Sequence, residues 1–171
     1  MKRLMVGLAA LSIALVVPLA AGATRAMPVT LTFTLNLTSA SQASGTWTAE
    51  TLLPGLAGKS GTAVETFRTS GKGKVVHGKK VVSSGSDGSF LIVFNGKTSQ
   101  NGTVINGRFV IKNGKGIYKG LHGTGKIHAT LDAQAGTISA TYTGKAHFDS
   151  NTVQHTATSQ NANDKANGKS K

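Results

Sequence analysis

Glu65 is the acid whose surroundings best suit chemistry. In Thr62-Ala63-Val64-Glu65-Thr66-Phe67-Arg68 it alternates in step with Ala63 and Phe67, while the opposite phase is mostly polar. A strand sends alternate side chains to opposite faces, so Glu65 is expected to point inward between apolar neighbours. A carboxyl held there could serve as an acid, a base or a cation stabiliser. The plainer reading is a paired, structural carboxylate, or a strand whose two faces are reversed. Arg108 and Tyr142 are the candidate partners in a ligand-sized cavity. Tyr142 shares its phase with Ala140 and Gly144, so it also reads as a core ring beside a gap.

Other chemistries fail on spacing. Gly120-Leu121-His122-Gly123-Thr124-Gly125-Lys126 has the glycine and lysine positions of a phosphate-binding loop. Ile127 follows where a Ser or Thr would hold magnesium, and a strand follows where a helix N-terminus is required. Gly58-Lys59-Ser60 matches only the end of that motif, with Leu53 at the first glycine. His77, His122 and His155 fall in expected turns or the tail, and His128 and His147 on polar strand phases. No pair of them has a local metal-binding spacing, so no metal is expected. Nothing resembles a nucleophile elbow or a carboxylate pair for glycoside chemistry. No cofactor is implied.

The start of the chain reads as an export signal. Met1-Lys2-Arg3 is cationic, residues 4–19 are almost wholly apolar, and Ala21-Gly22-Ala23 supplies small residues for cleavage. That run of 16 residues falls short of the ~20 of a spanning helix. The expectation is a signal peptide over 1–23 cut after Ala23, with Ala26 as the alternative, and a secreted, extracellular product. The chain has no cysteine, which removes disulfides and thiol chemistry. Beyond Ala23 lie 17 of the 19 basic residues and all six acids, a net +11. That balance favours an anionic cell-wall or lipid surface as partner, although the lysines are dispersed along the sequence and also serve plain solubility. Rings for base stacking mostly alternate inward, so no specific nucleic-acid binding is expected.

Period-two alternation dominates the rest of the chain. It is cleanest over residues 29–38 and 137–148; further strands are expected at 46–52, 62–69, 74–76, 80–83, 90–94, 107–112 and 126–132. Residues 90–94 are apolar on both faces and read as central or covered. Turns are expected at Ser70-Gly71-Lys72-Gly73, His77-Gly78-Lys79, Ser86-Asp87-Gly88, Asn95-Gly96, Asn101-Gly102, Asn113-Gly114 and Ala135-Gly136. The predicted fold is all-β: an antiparallel barrel of about eight strands over 24–149, with a β-sandwich as fallback. Residues 150–171 read as a disordered polar tail.

One stretch is more specific. Gly107-Arg108-Phe109-Val110-Ile111-Lys112-Asn113-Gly114-Lys115-Gly116-Ile117-Tyr118, with Gly123-Thr124-Gly125 after it, resembles the allene oxide cyclase and dirigent type of β-barrel. Ser60-Gly61-Thr62-Ala63-Val64-Glu65-Thr66-Phe67, Gly88-Ser89-Phe90-Leu91-Ile92-Val93-Phe94 and Tyr142-Thr143-Gly144-Lys145-Ala146-His147 look like small secreted bacterial relatives of that superfamily. The resemblance spans roughly residues 28–149. It implies a barrel with a ligand-sized lumen, often oligomeric among plant members, some of which cyclise an epoxide or steer phenoxy-radical coupling. Asn113-Gly114-Lys115-Gly116 departs from the usual Gly-Gly-Thr-Gly, and no catalytic acid carries over by motif. The leading expectation is therefore a secreted, non-catalytic barrel binding a small apolar ligand or an anionic surface component. The alternatives are a cyclase-like or dirigent-like barrel working through Glu65, and a structural extracellular protein without a ligand.

Overall fold

In the computed structural model, which describes residues 25–99 and 101–149, eight antiparallel strands close into a barrel in simple chain order. They are β1 (Met27–Ser39), β2 (Gln42–Thr51), β3 (Ser60–Ser70), β4 (Val75–Ser83), β5 (Gly88–Thr98), β6 (Val104–Gly116), β7 (Leu121–Asp132) and β8 (Thr137–Phe148). One 3-10 turn, Gly85–Asp87, precedes β5. Closure comes from β1 pairing with β8, from Met27↔Ala146 to Asn36↔Thr137. Every strand then has two neighbours and no edge is left to recruit another chain. The expected signal and tail, with Ala23 and His155, lie outside the described residues.

Alternation puts one side-chain set inside. Leu31, Phe33 and Leu35 of β1, Trp47 of β2, Phe90, Ile92 and Phe94 of β5, Phe109 and Ile111 of β6 and Tyr142 of β8 are buried. Each such large apolar side chain contributes about 1.5–3 kcal/mol relative to exposure. Rings fit because glycines on adjacent strands leave room. A Cβ at Gly78 would lie 2.3 Å from the ring of Phe94, and one at Gly125 would lie 2.6 Å from that of Phe109.

The two ends of the barrel differ. At the end where β1 begins and β8 finishes, residues 52–59 fold over the opening and bury Leu53 and Leu56. Below them Trp47, Phe90 and Tyr118 form an edge-to-face stack, with ring centroids 5.5 and 5.0 Å apart. Trp47 Nε1 donates to the Ser83 carbonyl oxygen at 3.0 Å, and the Tyr118 hydroxyl is hydrogen-bonded to Ser84 Oγ. At the hairpin end, Leu37, Phe67, Ile105 and Leu131 are only half-buried.

Several expected turns are strand interior. His77-Gly78-Lys79 lies in the middle of β4, where Gly78 makes room for Phe94 rather than reversing the chain. Asn95-Gly96 lies inside β5, with Gly96 beneath Ile105. Asn113-Gly114 lies inside β6. Asn113 has φ 52°, and the β5–β6 register shifts between Ser89 and Leu91. Its left-handed conformation forms a β-bulge there instead of a hairpin. His122 is likewise on β7 rather than in a turn.

Candidate functional site

β3 and β4 pair so that Glu65 stands directly opposite Lys80, both pointing inward. Lys80 Nζ lies 2.9 Å from Glu65 Oε2, with Lys80 0% and Glu65 6% exposed. The approach is too bent for a full hydrogen bond, and no other polar atom accepts from the ammonium. Its remaining surroundings are aromatic faces: Nζ is 3.7 Å from the ring centroid of Phe33 and 4.5 Å from that of Tyr142. Cation–π attraction and the carboxylate together offset the loss of water around a buried charge. Burial lowers the pKa of Lys80 below 10.5, opposed by the charge of Glu65. Burial also raises Tyr142 well above 10.0, and the Glu65 charge adds to that.

Of the three residues singled out from sequence, two are brought together. Tyr142 packs against Phe33 at 4.9 Å and Phe109 at 5.2 Å, within the same shell of rings that surrounds Lys80. Arg108 is on the outside of β6, exposed, on the wall opposite to any lumen role. Lys80 was missed. The misplaced turn at residues 77–79 broke the phase that unites Val76, Gly78, Lys80 and Val82 on one face. The signal was present: with β4 continuous, Lys80 alternates with two buried valines.

The outer surface holds a second arrangement. Register aligns Arg68↔His77, His77↔Asn95, Asn95↔Arg108 and Arg108↔Lys126 in one rung across β3 to β7. All five side chains are exposed. Lys79, Lys97 and Lys112 stand exposed on adjoining rungs of β4, β5 and β6. No acid faces outward from β3 to β6. The acid of β7, Asp132, sits at the strand end and accepts from the backbone N–H groups of Gln134 and Ala135. On β1 and β2 the outward positions are Thr, Ser, Asn, Gln and Pro, with Glu50 and no lysine or arginine. Register thus lines cations dispersed in sequence along β3 to β7, with Lys145 of β8 the one outward lysine on the other three strands. Like charges directly opposite across strands repel, so the arrangement costs stability unless an anion lies against it.

The histidines divide. His122 and His147 are cross-strand partners with rings stacked at 5.7 Å, and His122 Nε2 is 3.2 Å from Asp149 Oδ2. Residues 25 apart in sequence meet only through register. Among the described residues no group of three or more His, Asp or Glu is arranged to hold a metal ion. No helix among them is long and apolar enough to cross a membrane.

No protein-family model, no curated protein and no solved structure matches the chain.

Proposed function

We propose that this is a secreted, non-catalytic β-barrel that holds an anionic extracellular surface component against the wall formed by β3 to β7. The observation that carries this reading is the exposed rung on which Arg68, Arg108 and Lys126 stand with no acid among them. Side chains on neighbouring strands stand ~4.8 Å apart, so Arg108 and Lys126 can share one phosphate or carboxylate while Arg68, three strands away, meets another. Export, read from the first 23 residues, would bring this wall to such material. The lumen is the less favoured site for a ligand. Phe33, Phe94, Phe109 and Tyr142 pack around Lys80 and Glu65, and Trp47, Phe90 and Tyr118 fill the end beyond them. A cyclase-like or dirigent-like role would need substrate to displace those rings.

Binding of inorganic polyphosphate, titrated at several salt concentrations, tests the proposal. Affinity should fall steadily with the logarithm of salt, as displaced counterions require. Arg68→Gln/Arg108→Gln should bind at least severalfold more weakly while melting no lower than the parent. Equal binding by that variant, or no binding by the parent protein at low salt, overturns it.

A further inference from the structure

Valine is placed on this barrel's outside in one region only, and that placement bears on what the cationic wall meets. Outward β-branched positions on β1, β2, β7 and β8 are threonine: Thr32, Thr34, Thr46, Thr48, Thr124 and Thr141 are examples, all exposed. Threonine satisfies the strand's preference for branching at Cβ while offering a hydroxyl to water. On β3 to β6 the same kind of position carries Val64, Val81, Val93 and Val110, which are 55%, 49%, 38% and 39% exposed. These methyl groups are contiguous. Val64 pairs with Val81, Val81 with half-buried Leu91, and Val93 on the next rung with Val110. Lys79 and Lys112 end these two rungs, and the rung of Arg68, His77, Arg108 and Lys126 borders them. Residues 90–94, read from sequence as central or covered because both faces are apolar, have their outer face open among the described residues.

We infer that the β3–β6 face docks on an anionic lipid bilayer, seating its valines at the level of the glycerol backbone and its cations on the headgroup phosphates. This inference rests on the anionic partner proposed above and names its class. A second copy of the chain does not fit, because a two-fold contact through this face would oppose Arg68, Lys79, Arg108 and Lys112 to themselves with no acid to receive them. A soluble polyanion satisfies the cations and leaves the valines in water. A nucleic acid calls for exposed rings, and Trp47, Phe33, Phe90, Phe94, Phe109, Tyr118, Tyr142 and Phe148 all point into the barrel. A lipid interface takes both halves of the pattern, apolar surface beside basic side chains.

The discriminating experiment is co-sedimentation of the full chain with vesicles of phosphatidylcholine alone and of phosphatidylcholine mixed with phosphatidylglycerol, with polyphosphate binding run in parallel. The parent protein is expected on the mixed vesicles and not on phosphatidylcholine. Val64→Thr/Val81→Thr/Val93→Thr/Val110→Thr keeps branching and charge, so it should melt like the parent, bind polyphosphate equally and lose vesicle binding severalfold. If that variant melts early, Val93→Thr/Val110→Thr gives the same comparison with less change. Undiminished vesicle binding by the threonine variants overturns the inference. So does a parent protein that binds polyphosphate but not anionic vesicles, an outcome that leaves the proposed function standing. Failure to bind either probe removes both.

Discussion

Lys80 sits where a lysine is hardest to place, without water and facing rings, and its one charged neighbour decides what that costs. Removing a single partner of a buried pair leaves an uncompensated charge, worth about 3–5 kcal/mol, whereas replacing both with apolar groups is often neutral or stabilising by about 1–4 kcal/mol. Glu65→Gln and Lys80→Met should each destabilise the barrel by the first amount, and Glu65→Leu/Lys80→Met should recover most of it. Equilibrium denaturation of the three variants decides the matter, and a double variant as unstable as the singles would refute the pairing. The pH dependence has a definite sign. Between the lowered folded pKa of Lys80 and 10.5, the unfolded chain holds a proton that the native state has released, so stability rises with pH across that interval. For Tyr142 the folded pKa is raised, so its contribution is intact below 10.0 and is lost as pH climbs above that value. The parent protein should therefore gain stability relative to Glu65→Leu/Lys80→Met as pH approaches 10.5, and Tyr142→Phe should remove the opposing loss above 10.0.

At the level of the strand, glycine does two jobs that look alike in sequence. At Asn101-Gly102 and Ala135-Gly136 it lies in the connections between strands, with φ 70° and 65°. At Gly78 it lies within β4 and gives a ring its space. A Cβ there meets Phe94 Cζ at 2.3 Å and the Thr66 carbonyl oxygen at 2.9 Å. Gly78→Ala should cost about 1–3 kcal/mol through overpacking. Adding Phe94→Leu withdraws the atom it strikes, so the double variant should be more stable than the sum of the two single losses. Strict additivity in chemical denaturation would show that the ring is not the obstacle. The same ambiguity explains which strands could be read from sequence. Residues 29–38 and 137–148 alternate without internal glycine turns of the Asn-Gly or His-Gly kind, and they coincide with the middle of β1 and with β8. In β4 to β6, glycines facing the side chains of Phe94 and Ile105, or next to the bulge at Asn113, imitate hairpin signals, which split β4 and shortened β5 and β6. Glu65 was legible because its strand alternates cleanly on both sides. Lys80 was not, because its phase depended on knowing that Gly78 continues the strand.

Across the whole molecule, the question is whether total charge or its position governs association. Dispersed lysines suggest a uniformly basic body, for which any two cations are equivalent. The barrel instead leaves β1 and β2 free of outward lysine and arginine and concentrates cations on β3 to β7, an asymmetry visible only once register is known. A field focused on one wall orients the protein against an anionic surface, and contributions from far cations are screened beyond ~10 Å at 0.1 M salt. Two variants with the same loss of charge separate the alternatives. Arg108→Gln/Lys126→Gln removes directly opposed cations from the wall. Lys115→Gln/Lys119→Gln removes exposed cations at the very end of β6 and in its connection to β7, on the capped end of the barrel and away from that rung. Elution from phosphocellulose in a salt gradient should advance clearly for the first and little for the second. Relieving the Arg108–Lys126 repulsion should also raise the melting temperature slightly, consistent with ~0.2–1 kcal/mol for a cross-strand pair. Equal elution shifts would mean that the protein senses net charge alone, and that the alignment of cations in one rung has no part in binding.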